Sequence, residues 1–376
     1  MSRATDAERR RLNDTFAALC RIPSPFGHER ACAERVAGEL RGFGLEVRED
    51  DATASTGAQC GNLLARIDGR GERSVLLCAH LDTVVPQAAI EPVVEEGAWH
   101  NAHSGILGAD NKAAVAVLVE LARRWARDPP AAGVELLFTV SEENALAGAK
   151  AFDTRRLRSD WGYVFDHASA IGEIVTASPT YYRLEANFHG AAAHAGIRPE
   201  DGRSAVEAAA RAVATMRLGR LDADTTANIG VIEGGSGSTN VVPERCRLLG
   251  ETRSLDEDKV EAAVAGMVDR IQDAANATEC DVDVNVERLF GGYRQRPSAP
   301  AVAAAERALQ ACGHVPRRIA TGGGSDANAF EAAGFTCVNV ANGTEANHEP
   351  TERVSVVALE GMLDVASELV EAVAAC

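Results

Sequence analysis

The sequence predicts an α/β protein with a mainly parallel sheet, interrupted by a smaller inserted α+β domain. Three observations carry this. Short apolar runs alternate with long amphipathic segments through the first half, as in chains of βα units. SVLLCAH (Ser74–His80) is apolar almost throughout, which suits a strand buried on both faces. From about Ser178 the texture changes to strands alternating polar and apolar residues, and the first texture returns after RQRPSAP.

In chain order, residues 5–21 and 28–43 space Leu, Ala, Phe and Val as helices do, and SVLLCAH follows as a strand. DNKAAVAVLVELARRWA then predicts a long helix, GVELLFTV a strand over 133–140, and GYVFD a strand ending at Asp166. The middle stretch reads YYRLEANFHG (strand), SAVEAAARAVATMRL (helix), TTANIGVIEGG and VVPERCRLLGETRS (strands), DEDKVEAAVAGMVDRIQDAANA (helix) and CDVDVNVERLF (strand). That β-α-β-β-α-β order is a ferredoxin-like split unit. AVAAAERALQACG (helix) and FTCVNVA (strand) complete the larger domain. The expected domains are therefore residues 1–177 and 292–376 together, with 178–291 inserted.

The chain has 376 residues, 55 acidic and 38 basic, for a net charge of −17, which gives no basic footprint for nucleic acid. The N-terminus is charged and amphipathic rather than a secretory signal, and no apolar window is long enough to span a membrane. Nine scattered cysteines form no C-x-x-C pair. They read as small buried hydrophobes of a reduced, cytoplasmic protein rather than as its chemistry.

The informative pattern is where acids and histidines fall. His80 and Asp82 close the first strand as H-L-D-T, on one face of extended chain. Such a carboxylate can orient an imidazole whose other nitrogen binds metal, although the pair by itself is common. Asp110, in G-I-L-G-A-D-N-K, taken alone reads first as a helix N-cap. Glu142 and Glu143 follow the strand 133–140; they could cap the next helix or supply one metal ligand and one general base. Asp166 ends a strand, and His348 lies in A-N-H-E-P-T-E after FTCVNVA. Functional groups of open α/β sheets gather beyond the carboxyl ends of the strands, and five of these residues fall there, with Asp110 able to reach the same rim. Imidazoles and carboxylates without thiolate suit Zn²⁺, with Co²⁺ or Mn²⁺ as alternatives. Two ions roughly 3.5–4 Å apart would balance that much negative charge and ready a water for attack, with a free carboxylate to take its proton.

At these residues the sequence resembles the di-zinc exopeptidase and deacylase family, which includes peptidase T, carboxypeptidase G, the aminoacylases and succinyl-diaminopimelate desuccinylase. H-L-D-T, G-A-D-N-K, S-E-E, the strand-final Asp166 and His348 carry the resemblance, joined by H-G-A-A-A-H-A-G, N-I-G-V-I-E-G-G and N-V-V-P-E. A-H-A-G-I-R-P-E-D-G and G-G-S-D-A-N look most like the peptidase T branch. The resemblance implies a zinc exopeptidase-like catalytic domain and an inserted lid and dimerisation domain. It implies one zinc on His80, Asp110 and Asp166 and another on Asp110, Glu143 and His348, with a cis peptide after the bridging Asp110. Asp82 would orient His80, and Glu142 would be the general base. His194, Asn240 and Arg253 match positions that contact substrate, His194 often across a homodimer interface.

The activity so implied is removal of the N-terminal residue from short peptides, as in a tripeptidase. An N-acyl-amino-acid deacylase or a carboxypeptidase would use the same machinery. A catalytically silent peptide- or metal-binding protein fits less well, since every expected ligand and the base are present. Ala145 stands where the family commonly has Gly, and W-H-N-A-H-S-G lacks an expected Asp-Gly step. His100 and His103 in that segment read as surface residues, and His167 has no assigned role.

Overall fold

SVLLCAH forms an interior strand, Ser74–His80, paired in parallel with Gly133–Thr139 on one side and Trp161–His167 on the other. Every residue from Val75 to His80 is buried, as two covered faces demand. The computed structural model describes residues 3–376. It divides into two compact units: the chain up to Ala177 together with Arg294–Cys376, and Ser178–Tyr293.

In the larger unit the sheet runs Val47–Glu49, Leu63–Ile67, Gly133–Thr139, Ser74–His80, Trp161–His167, Cys337–Ala341, Glu173–Ser178, with Arg317–Ala320 parallel to the last. The four central strands are mutually parallel, and antiparallel strands flank them, so the sheet is mainly parallel as expected. Helix Ala109–Trp125 is apolar on nearly all sides and is buried along its length. Asp6–Cys20 packs beside it, capped by a reciprocal Thr5–Glu8 box. Helix Val356–Ala374, unassigned from sequence, contributes Leu359, Met362, Leu363, Leu369 and Val370 to the same core.

A second, antiparallel sheet was also not anticipated. It joins Pro92–Glu95 and Ala98–Asn101 to Arg353–Ser355 and Thr344–Glu345. Strands of two to four residues carry too little periodicity to be read from sequence. Their effect is to fix the turn that bears His348.

The smaller unit is a five-stranded antiparallel sheet ordered Gly219–Arg220, Thr225–Gly234, Arg245–Ser254, Thr180–His189, Asp281–Phe290. Its four long strands follow the ferredoxin-like order. Helices Ala205–Thr215 and Glu257–Ala277 pack Ala208, Ala212, Met267 and Ile271 onto Leu184, Ala186 and Leu248. Other side chains of these strands form cross-strand ion pairs, Arg183–Glu287 at 2.7 Å and Arg247–Glu185 at 2.6 Å. Among the described residues no helix is long and apolar enough to cross a membrane.

Candidate metal centre

Each candidate ligand sits where regular structure ends. His80 is the last residue of its strand, and Asp166 the last but one of Trp161–His167. Glu142 and Glu143 leave Gly133–Thr139 through a turn in which Ser141, Ala145 and Leu146 all have left-handed backbones (φ +52°, +56° and +63°). Non-glycine residues hold such angles only where surrounding contacts impose them. Asp110 follows Gly108 (φ +74°), and its own ψ of 105° keeps it out of the helix that follows. The Asp110–Asn111 peptide is cis. His348, itself at φ +69°, is separated from the strand Cys337–Ala341 by the short strand Thr344–Glu345, so it does not lie directly beyond a strand of the main sheet.

These six residues converge. Asp110 turns its carboxylate between two imidazoles: Oδ1 is 3.2 Å from His80 Nε2, and Oδ2 is 3.3 Å from His348 Nε2. It is therefore not spent capping a helix. Asp166 Oδ1 is 3.5 Å from His80 Nε2, and Glu143 Oε1 is 2.8 Å from His348 Nε2. Glu142 offers an oxygen within 4.8 Å of ligand atoms of both His80 and Asp166, and His80 likewise groups with Asp110 and Glu143. These groupings cut across the expected ligand sets because six polar groups share one small volume. All are largely buried except His348, which is half exposed.

Charge interactions among these groups set their electrostatics. Burial opposes a charged His80, yet Asp166 and the hydrogen-bonded Asp110 outweigh it and hold its pKa well above the usual value. Hydrogen bonds to Asp110 and Glu143 push His348 up to about 10. Burial would raise Asp110, but the two histidines draw it far below the ordinary carboxylate range. Burial first, then the negative charge of Asp166, raises Glu142 well above normal; burial and Asp110 do the same to Asp166.

Asp82 has a second set of partners besides His80. His80 Nδ1 meets the backbone carbonyl of Asp82 at 3.1 Å, with the carboxylate farther off at 3.5 Å. The fully buried carboxylate also accepts the N–H groups of Glu142 and Glu143, both at 3.0 Å. It fixes the Glu pair as much as the imidazole. Sequence reasoning missed three other buried acids. Glu29 accepts the N–H and hydroxyl of Ser141 at 3.0 and 2.9 Å, just before the Glu pair. Asp326, in G-G-G-S-D-A-N, accepts the Thr139 hydroxyl at 2.5 Å, and burial raises it to about 6. Glu352 accepts three backbone N–H groups of the Asp110 loop. All three are buried, and a sequence does not display the burial of an acid.

Within the smaller unit, His194 pairs with Val241 as an isolated bridge, and Ala195 N–H donates to the Asn240 carbonyl at 2.9 Å, so His194 and Asn240 are neighbours. Arg253 lies on the strand Arg245–Ser254 with its guanidinium 4.1 Å from the Tyr181 ring centroid and Nε 3.1 Å from Glu251. His100 and His103 pair loosely with Glu95 and Glu91. His167 turns to Glu173 at 3.1 Å, which accounts for it without the metal centre.

Residues 62–173, which carry His80, Asp110, Glu142, Glu143 and Asp166, match peptidase family M28. Residues 179–279, which carry His194, Asn240 and Arg253, match the M20 peptidase dimerisation domain. The chain is 34% identical to YqjE of Bacillus subtilis (strain 168), over 96% of this chain and 98% of that one. It is similar in structure to aminopeptidase PepT from Bacillus cereus ATCC 10987 (36% identity, 97% and 99% covered, TM-score 0.85). A tripeptidase from Staphylococcus aureus subsp. aureus Mu50 superposes with TM-score 0.91 at 31% identity, covering 98% and 99%. The chain belongs to the peptidase T-like metallopeptidases. It is thus a peptide-hydrolysing metallopeptidase, and its donor set fits a pair of metal ions. The cluster offers two imidazoles and several carboxylates but no thiolate, a set for borderline divalent cations. Glu143 Oε1 is buried and lies 2.8 Å from His348 Nε2, the geometry of two ligand atoms facing a shared point.

Proposed function

We propose that this metallopeptidase is a two-zinc aminopeptidase that removes the N-terminal residue from short peptides, tripeptides first among them. His80, Asp110 and Asp166 would hold one ion; Asp110, Glu143 and His348 would hold the other. The observation that carries the reading is the carboxylate of Asp110, whose two oxygens face different imidazoles at 3.2 and 3.3 Å. Bound there, two cations supply Lewis-acid polarisation of the scissile carbonyl and activation of the attacking water.

The chain's own groups do the rest. Glu142, within 4.8 Å of the His80–Asp166 cluster, takes the proton from the attacking water at its carboxylate and returns it to the departing amine. Asp82 keeps that carboxylate aimed by holding the backbone N–H groups of Glu142 and Glu143. Through the resemblance, His194 is assigned to the substrate carbonyl oxygen, Asn240 to a contact with the substrate, and Arg253 to the substrate carboxylate. The M20-type match over residues 179–279 supports a homodimer through this domain. Nine unpaired thiols, most of them buried, support a reducing, cytoplasmic setting.

A panel of di-, tri- and tetrapeptides, each with and without an N-acetyl group, tests the proposal on zinc-reconstituted protein. Tripeptide cleavage abolished by N-acetylation is expected, because an aminopeptidase must accept a free ammonium. Hydrolysis confined to N-acyl amino acids would overturn it.

A further inference from the structure

Asp110 is gripped at both ends by one turn. The turn between Thr344–Glu345 and Arg353–Ser355 carries His348, facing the Asp110 side chain, and Glu352, facing the Asp110 backbone. Glu352 is buried, 2% exposed, and both its carboxylate oxygens accept hydrogen bonds. Oε2 accepts the N–H groups of Leu107 and Gly108, each at 2.8 Å, and Oε1 accepts that of Asp110 at 2.9 Å. The left-handed backbone at Gly108 (φ +74°) lets neighbouring amides converge on one anion, the arrangement called a nest. Here the anion is internal, 242 residues along the chain. On the far side of the cis peptide, buried Lys112 anchors the loop through Nζ to the Ile22 carbonyl at 2.6 Å.

We propose that Glu352 is a positioning residue for the bridging carboxylate: by clamping the 107–110 backbone it sets the direction of Asp110 between the two imidazoles, without touching metal or substrate. The clamp requires a carboxylate rather than an amide. Three donors converge on its two oxygens, and a Gln would turn an NH₂ group towards one of them. Partners that orient metal ligands in this way are worth about 10–100-fold in metal affinity.

This inference rests on Asp110 bridging two ions, and the test separates the two ideas. Glu352→Gln, Glu352→Asp and Asp110→Ala are compared with the parent protein after loading with Co²⁺. The readouts are chelator competition, the visible cobalt spectrum and thermal melting. Glu352→Gln should melt as a folded protein, bind Co²⁺ about 10–100-fold more weakly and shift the cobalt bands. Glu352→Asp, which keeps the charge, should recover part of that loss. Unchanged affinity and spectrum in Glu352→Gln would overturn the proposal, as would equal losses in Gln and Asp, which would mean that only packing matters. If Glu352→Gln does not fold, Glu352→Asp decides alone: a folded protein with shifted bands supports the clamp, and an unshifted spectrum overturns it. Asp110→Ala with undiminished cobalt content would instead remove the bridge itself.

Discussion

Asp110 shows how much one side chain decides. Its sequence context, a Gly-bearing loop before an apolar helix, is that of a capping residue, and its extended ψ of 105° is a capping conformation. The cap interaction is absent, and the carboxylate is shared between His80 and His348. Asp110→Ala should therefore release metal, measured as the ratio of zinc to protein by elemental analysis. Glu142→Gln should retain both metals and lose about 10²–10⁴-fold in kcat, because general-base transfer contributes on that scale; undiminished turnover would remove Glu142 from its role. Protons and metal compete for the same histidines. His348, raised from 6.5 to about 10 by Asp110 and Glu143, lends stability to the metal-free protein that is complete below pH 6.5 and lost as pH rises through about 10. Metal binding must displace those protons, so affinity should climb with pH across that window, and loading at pH 7 should release protons measurable in a weakly buffered titration.

At the scale of elements, the parallel strands were legible because continuous apolar runs such as GVELLFTV and SVLLCAH are too apolar for loops and too short for buried helices. The segments that complete the site were not. The four short strands around His348 have no period to detect, and helix Val356–Ala374 escaped assignment although its buried residues are as apolar as any. The Glu142–Glu143 turn depends on close approach: a Cβ on Gly148 would lie 2.1 Å from the Val140 carbonyl oxygen and 2.7 Å from Asn62 Oδ1. Asn62 in turn accepts the Val140 N–H at 3.1 Å and donates to the Gly148 carbonyl at 3.0 Å. Gly148→Ala should cost roughly 1–3 kcal/mol, the usual penalty of overpacking, and lower kcat with it. Urea unfolding midpoints and peptide turnover measured side by side check both.

For the whole molecule, metal loading and association are the observables. Several buried acids converge on the centre, and raised carboxyl groups such as Glu142 and Asp166 show that their ionised forms are unfavourable without cations. Metal removal should therefore lower the melting temperature at pH 8 more than at pH 5.5, where protons substitute; an equal drop at both would contradict this. Light scattering should give twice the chain mass of 39.5 kDa if residues 179–279 act as their match implies.

By itself the sequence determined the α/β class, the ferredoxin-like order of the inserted stretch and which acids and imidazoles were candidates for one cluster. Those follow from periodicity and from residue types whose chemistry is local. Only the tertiary structure decided that Asp110 divides its oxygens between two histidines, that Asp82 holds the Glu pair by its backbone, and that Glu352 grips the Asp110 loop from 242 residues away. The physical reason is that a carboxylate carries no mark of its partner. Which donors it meets depends on distant segments packing together, and no spacing along the chain encodes that.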